Sequence, residues 1–129
     1  MGHALSWTKQ CAEALEYLHK MTPKPLLHRD LKPENILLAD KARKVKLCDF
    51  GTVAELKTIM TKKQGPITYM APEVMQGGKY SMKCDVYSLG ITFWEILSRE
   101  KPFDEIIGSN AKMLKIIGGE RPLIRNRGK

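Results

Sequence analysis

Apolar residues recur at helical spacing in some parts of the chain and lose that period in others. Leu5, Cys11, Leu15 and Leu18 predict a helix within residues 3–21, which Thr22-Pro23 and Pro25 stop. Ile36-Leu37-Leu38 and Val45-Lys46-Leu47-Cys48 are strand-like runs around a polar turn at 40–44, the pattern of a β-hairpin. Residues 52–70 are rich in Thr and Lys and poorly periodic, so they read as a long loop, a kind of segment that is usually functional in compact domains. A central helix is predicted over about 85–97, with Val86, Leu89, Phe93, Trp94 and Leu97 as one apolar stripe. Tyr87, Ile91 and Ile96 fill much of its remaining surface, and a helix apolar nearly all round wants cover on every side. Glu100-Lys101-Pro102 breaks that pattern, Ser109-Asn110 can cap a last helix over 111–117, and Gly118-Gly119 end it. The expected fold class is mainly α with a small β-hairpin. After Gly119 the chain is mostly charged, so on burial grounds it is expected to be cut short at its C-terminus.

Composition narrows the class without deciding the function. A hydrophobic fraction of 43% and a charged fraction of 28% over 129 residues are those of one soluble globular domain. No apolar stretch approaches membrane-spanning length, so no membrane partner is expected. The cysteines Cys11, Cys48 and Cys84 are odd in number and too far apart for a metal knuckle, which favours a reducing, cytoplasmic setting. The net charge of +8 raises nucleic acid as a partner. The basic residues are scattered, however, and no aromatic platform is interleaved with them, so that reading ranks far behind; the Lys41–Lys46 charges read as a solvated turn. His3 and His19 read as surface histidines without chemistry, and Trp7 and Trp94 as packing residues.

The chemistry is concentrated in three blocks: His28-Arg29-Asp30-Leu31-Lys32-Pro33-Glu34-Asn35, then Asp49-Phe50-Gly51, then Ala71-Pro72-Glu73. A loop followed by a hairpin can bring Asp30, Asn35 and Asp49 to one rim. Mg²⁺ takes oxygen ligands from few protein groups and leaves the rest to phosphates and water, so Asn35 and Asp49 make a sensible pair. Asp30 can accept a proton from an incoming hydroxyl, while Lys32 offsets charge on a migrating phosphoryl group. Phosphoryl transfer asks mainly for positioning and charge stabilisation, and this set offers both.

These blocks, in this order, resemble the catalytic loop, the metal-binding turn and the activation-segment anchor of a eukaryotic protein kinase. The whole of residues 1–129 resembles part of the helical lobe, with a catalytic loop at 28–35 and an activation segment at 49–73. By that resemblance the cofactors are ATP and Mg²⁺. Asp30 would be the catalytic base, Lys32 the γ-phosphate contact, Asn35 and Asp49 the magnesium ligands, and Leu37 the apolar floor under adenine. His28 and Phe50 would stack in the spine of the active state, and Arg29 would hold a phosphorylated activation loop. Asp85 would pin the catalytic-loop backbone, and Glu73 would pair with a buried arginine in later helices. Lys32, two places after the base, is the serine/threonine pattern.

His3-Ala4-Leu5-Ser6-Trp7, Asp49-Phe50-Gly51-Thr52, Met70-Ala71-Pro72-Glu73-Val74 and the Lys-Pro-Phe-Asp-Glu run within 99–106 are similar to the TGF-β-activated kinase branch of the MAP kinase kinase kinases. That likeness implies phosphosites at Thr58 and Thr61, a protein substrate such as a MAP kinase kinase, and adaptor proteins as partners. Three departures stand beside it. Gly65 is followed by Pro66, where kinases of this type carry Ser or Thr, and proline supplies neither hydroxyl nor N–H. Neither a glycine-rich phosphate loop nor a strand lysine precedes the catalytic block, so a kinase lobe truncated at both ends is expected. Glu73 would be left without its partner, a loss that can cost several kcal/mol for a buried carboxylate. The 129 residues alone are therefore expected to be unstable and inactive; the alternative is a half-kinase that acts as a binding or competitor module. Other readings of single residues stay open: Asp85 as a helix cap, Asn35 as a turn residue, Cys48 as an inert thiol, and Thr58 and Thr61 as plain loop positions.

Overall fold

The computed structural model describes residues 3–47 and 67–124, together with the backbone of 54–55. Helix α1 spans Ala4–His19 and buries Ala4, Cys11 and Leu15. Leu5, counted in the apolar stripe from the sequence, is instead 69% exposed. The phase explains it: one residue turns a helix by about 100°, so a stripe through Ala4 and Cys11 leaves Leu5 facing water.

Strands β1 (Leu26–Leu27), β2 (Ile36–Ala39), β3 (Lys44–Leu47) and β4 (Ala54–Glu55) form two small antiparallel ladders, β1 with β4 and β2 with β3. The predicted hairpin is the β2–β3 pair, with Ile36 opposite Leu47 and Ala39 opposite Lys44. Its turn is unusual, because Asp40, Lys41 and Ala42 all take left-handed conformations, with φ of 52°, 55° and 66°. For residues other than glycine that backbone costs roughly 1–2 kcal/mol each, less for aspartate. Helix α1 holds the turn from outside. Trp7 Nε1–H donates to the Ala42 carbonyl, Gln10 Nε2–H donates to the Arg43 carbonyl, and Val45 N–H donates to Gln10 Oε1, each at 2.8 Å.

The stretch read as one long loop contains β4, and it ends in a 3₁₀ turn over Ile67–Tyr69 before the short helix α2 (Pro72–Met75). A two-residue strand has no period to show in a sequence. Helix α3 spans Met82–Ser98, three residues longer at its start than the apolar pattern suggests. Ser81 is extended and its N–H donates to Cys84 Sγ at 3.4 Å, while left-handed Arg99 (φ 60°) stops the helix at its far end. Helix α4 (Ser109–Ile117) starts from Gly108, which takes φ 95°. Ser109 and Asn110 therefore lie inside its first turn and do not cap it.

The core gathers Leu27, Met70, Val74, Tyr80, Phe103 and Ile116 between α2, α3 and α4. Phe103 and Ile116 are 1% and 0% exposed, burial that contributes about 2 kcal/mol for each side chain. Helix α3 is not covered on all sides by the described residues: it buries Cys84, Asp85, Ile91 and Thr92, while Val86 and Leu97 stand 59% and 40% exposed. Among the described residues no helix is long and apolar enough to cross a membrane.

Candidate active site

Residues 28–35 connect β1 to β2, and their shape is set by one side chain from α3. Asp85 lies in the first turn of that helix and is 1% exposed. Its Oδ2 accepts from the His28 N–H and its Oδ1 from the Arg29 N–H, both at 2.9 Å. His19, at the last turn of α1, brings Nε2 to 2.9 Å from the same Oδ2. A carboxylate that meets two backbone donors and an imidazole is well satisfied, which is what a buried charge requires. Arg29 is left-handed (φ 71°), and its guanidinium lies 5.6 Å above the Tyr80 ring.

That turn brings Asp30, Lys32 and Asn35 together. The Asp30 N–H donates to His28 Nδ1 at 3.2 Å. Asn35 Nδ2 donates to the Asp30 carbonyl at 2.6 Å and to Asp30 Oδ2 at 3.2 Å. Lys32 Nζ stands 3.7 Å from Asp30 Oδ1. Pro33 opens a 3₁₀ turn, Pro33–Asn35, which ends directly at β2 and fixes where Asn35 sits relative to the hairpin. The Asp30 side chain is 9% exposed and that of Lys32 21%, so the pair is partly shielded yet reachable from solvent.

A second set of charges joins the 28–35 loop to the 3₁₀ turn at Tyr69. Lys101 Nζ lies 3.9 Å from Glu34 and 3.7 Å from Glu95, and Glu95 accepts a hydrogen bond from the Tyr69 hydroxyl. Burial, then the Glu95 hydrogen bond and charge, push the Tyr69 phenol well above its ordinary value. The Ser88 hydroxyl donates to the Tyr69 carbonyl at 2.6 Å. The chain around Tyr69 is thus tied to α3 at two points.

Other sequence candidates stand apart from this rim. Leu37 lies on β2 and is 52% exposed. Glu73, expected to be a buried carboxylate in need of a partner, is exposed on α2, where it accepts from the Cys84 thiol at 3.5 Å. Exposure removes the desolvation penalty assumed for it. Asp49, Phe50, Gly51, Thr58, Thr61, Gly65 and Pro66 lie outside the described residues, as does Cys48. A wide apolar groove of about 540 Å³ beside Trp94 and Leu123 holds none of the candidate catalytic residues.

Sequence reasoning missed three contributors. His19, a surface position by its sequence context, has a side chain only 10% exposed and bonded to Asp85. The signal was present, since His19 falls four residues after Leu15 and continues the buried stripe of α1. Trp7 and Gln10 reach the hairpin turn through hydrogen bonds that no sequence pattern encodes.

The donor chemistry of the rim fits Mg²⁺ with a phosphate-bearing nucleotide. With its amide nitrogen donating to Asp30, Asn35 can offer a cation only its amide oxygen. Hard cations shared with phosphates use such sparse oxygen sets. A family model described as "Protein kinase domain" matches residues 2–123, and the chain belongs to the protein kinase family. Within that family it is similar to mitogen-activated protein kinase kinase kinase 7 of Drosophila melanogaster, 55% identical over 95% of this chain and 18% of the relative. The human protein of the same name is 49% identical over 97% of this chain and 21% of its own length. Mitogen-activated protein kinase kinase kinase mom-4 of Caenorhabditis elegans is 43% identical over 80% of this chain and 19% of its own length. The relatives agree with the MAP kinase kinase kinase branch expected from the sequence. The chain spans about a fifth of the length of these curated relatives.

Proposed function

We propose that this chain is the catalytic segment of a serine/threonine protein kinase that transfers the γ-phosphoryl group of MgATP to a protein hydroxyl. The observation that carries the reading is the rim on which Asp30, Lys32 and Asn35 meet within hydrogen-bond and ion-pair reach, on a backbone anchored by Asp85. Asp30 accepts the proton of the incoming Ser or Thr hydroxyl as its oxygen bonds to the γ-phosphorus and the bond from that phosphorus to the bridging oxygen of ADP breaks, ADP leaving. Asn35 orients the Asp30 carboxylate through Nδ2, and the Lys32 ammonium offsets negative charge that builds on the transferred group. Asn35, with Asp49 from beyond the described residues, would hold Mg²⁺, whose chemistry is to neutralise the phosphate oxygens. Leu37 would lie under the adenine, Arg29 would receive a phosphorylated Thr58 or Thr61, and His28 and Phe50 would belong to the active-state spine. The substrate is a protein, on the evidence of the relatives' names a MAP kinase kinase, met in the cytoplasm with adaptor proteins as further partners.

On this reading the 129 residues on their own are expected to be inactive, because neither a glycine-rich phosphate loop nor a strand lysine precedes residue 28. The test is phosphoryl transfer by the natural full-length polypeptide, with and without Asp30→Asn. Loss of a general base lowers the rate by about 10²- to 10⁴-fold. Retention of full activity in the Asn variant would refute the assignment.

A further inference from the structure

The β2–β3 hairpin begins one residue after Asn35, so any shift of the hairpin moves the amide that touches Asp30. Its turn is intrinsically unfavourable, with three left-handed residues in succession and no glycine among them. Local strain of this kind persists only where the surroundings over-determine it. Here the surroundings are two side chains of α1. Gln10 uses both ends of its amide, giving a hydrogen to the Arg43 carbonyl and receiving one from the Val45 N–H, while Trp7 gives its indole hydrogen to the Ala42 carbonyl. The turn and the start of β3 are thereby tied to α1 at three points. His3 stacks on Trp7 at 5.6 Å, which fixes the indole in turn.

We propose that Gln10, seconded by Trp7, is a positioning residue for the metal-binding rim: it holds the strained turn and thereby fixes the hairpin that carries Asn35. This inference rests on the reading of Asn35 as a magnesium ligand. Gln10 touches neither substrate nor metal; it acts through the β2–β3 ladder. In the sequence, Asp49, the second metal-binding candidate, stands two residues past the end of β3.

The experiment is a Mg²⁺ titration of kinase activity in the natural full-length polypeptide, comparing Gln10→Ala, Gln10→Glu and Asn35→Ala. Outer-shell partners of metal ligands change metal affinity by about 10- to 100-fold. Gln10 lies further out, so Gln10→Ala is expected to raise the Mg²⁺ needed for half-maximal rate about 5-fold, and to leave the KM for protein substrate unchanged. Gln10→Glu keeps the acceptor for the Val45 N–H and loses the donor to Arg43, so it restores part of the shift. Hydrogen exchange at the Val45 amide accelerates in Gln10→Ala and stays slow in Gln10→Glu. If Asn35→Ala shifts the Mg²⁺ dependence and Gln10→Ala does not, the positioning role is refuted while the kinase reading stands. If Asn35→Ala leaves it unmoved, the metal reading falls and this inference with it. A uniform loss of activity with an unchanged Mg²⁺ midpoint would mark Gln10 as merely structural and refute the proposal. If Gln10→Ala fails to fold, Gln10→Glu decides on the same criterion.

Discussion

Replacing Asp85 with alanine removes the acceptor that shapes the 28–35 loop, and its cost can be worked from the geometry. The carboxylate is 1% exposed and receives the His28 and Arg29 N–H groups at 2.9 Å each, with His19 Nε2 at the same distance. Hydrogen bonds to a charged group contribute about 1.5–3 kcal/mol each, and a buried donor left unpaired costs on the order of 1–3 kcal/mol. The carboxylate no longer has to be desolvated in the variant, which offsets part of the sum. A net loss of about 3 kcal/mol remains, a large share of the roughly 5–15 kcal/mol that stabilises an ordinary domain. Urea unfolding of dilute protein, followed by tryptophan fluorescence, reads the loss, and hydrogen exchange at the His28 and Arg29 amides localises it. A change below about 1 kcal/mol with both amides still protected would refute the reasoning.

The left-handed backbone at Arg29 gives an independent check. At φ 71° a non-glycine residue costs roughly 1–2 kcal/mol, and two anchored amides keep it there. Glycine takes that conformation freely. Arg29→Gly therefore loses less in the wild-type background than Arg29→Ala does, with a difference of about 1 kcal/mol. Equal effects of the two substitutions would mean that the loop relaxes to ordinary backbone and that Asp85 enforces nothing.

Further outcomes follow from packing and burial. A Cβ at Gly78 would meet the Glu73 carbonyl oxygen at 2.6 Å, a backbone atom that cannot swing aside, so Gly78→Ala is expected to cost about 1–3 kcal/mol in urea midpoint measurements. Burial pushes the Cys11 thiol up to about 11 from 9.0. Between those values the unfolded thiol ionises while the buried one keeps its proton, so the stability it contributes is present below pH 9.0 and falls as pH rises toward about 11. Cys11→Ala removes that part of the slope, and wild-type and variant unfolding curves at the two ends of the window test it. Phe93, Trp94, Leu97, Leu123 and Ile124 line an open apolar groove, so the isolated 129-residue chain is expected to self-associate with rising concentration. Leu97→Gln with Ile124→Gln reduces the association in light scattering, and a wild-type chain that stays monomeric throughout would contradict the expectation.

The parts legible in the sequence are those encoded over short separations. Asp30, Lys32 and Asn35 lie on one five-residue step of chain, and a tight loop with Pro33 has few ways to keep them apart. The hairpin and the two long helices likewise declare themselves through period and punctuation. What the sequence hides is the set of contacts that cross the chain. His19 reaches Asp85 across 66 positions, and Gln10 reaches Arg43 across 33. A histidine on a helix and a glutamine beside it look like ordinary surface residues until the partner elements are in place. The misread face of α3 has a related cause. Periodicity counts apolar residues without asking what covers them, and the buried positions of this helix include Asp85 and Thr92, while Val86 points to water. The chemistry is thus written locally and its support is written at a distance. The two supports have one origin: both His19 and Gln10 project from α1, one toward the anchor of the 28–35 loop and the other toward the turn of the hairpin. A helix with no atom in the proposed chemistry thereby fixes both ends of the segment that performs it, 28–29 through Asp85 and the strands after Asn35 through Gln10. Substitutions that tilt α1 should consequently disturb Asp30 and Asn35 together, whereas substitutions at Asp85 or Gln10 separate them.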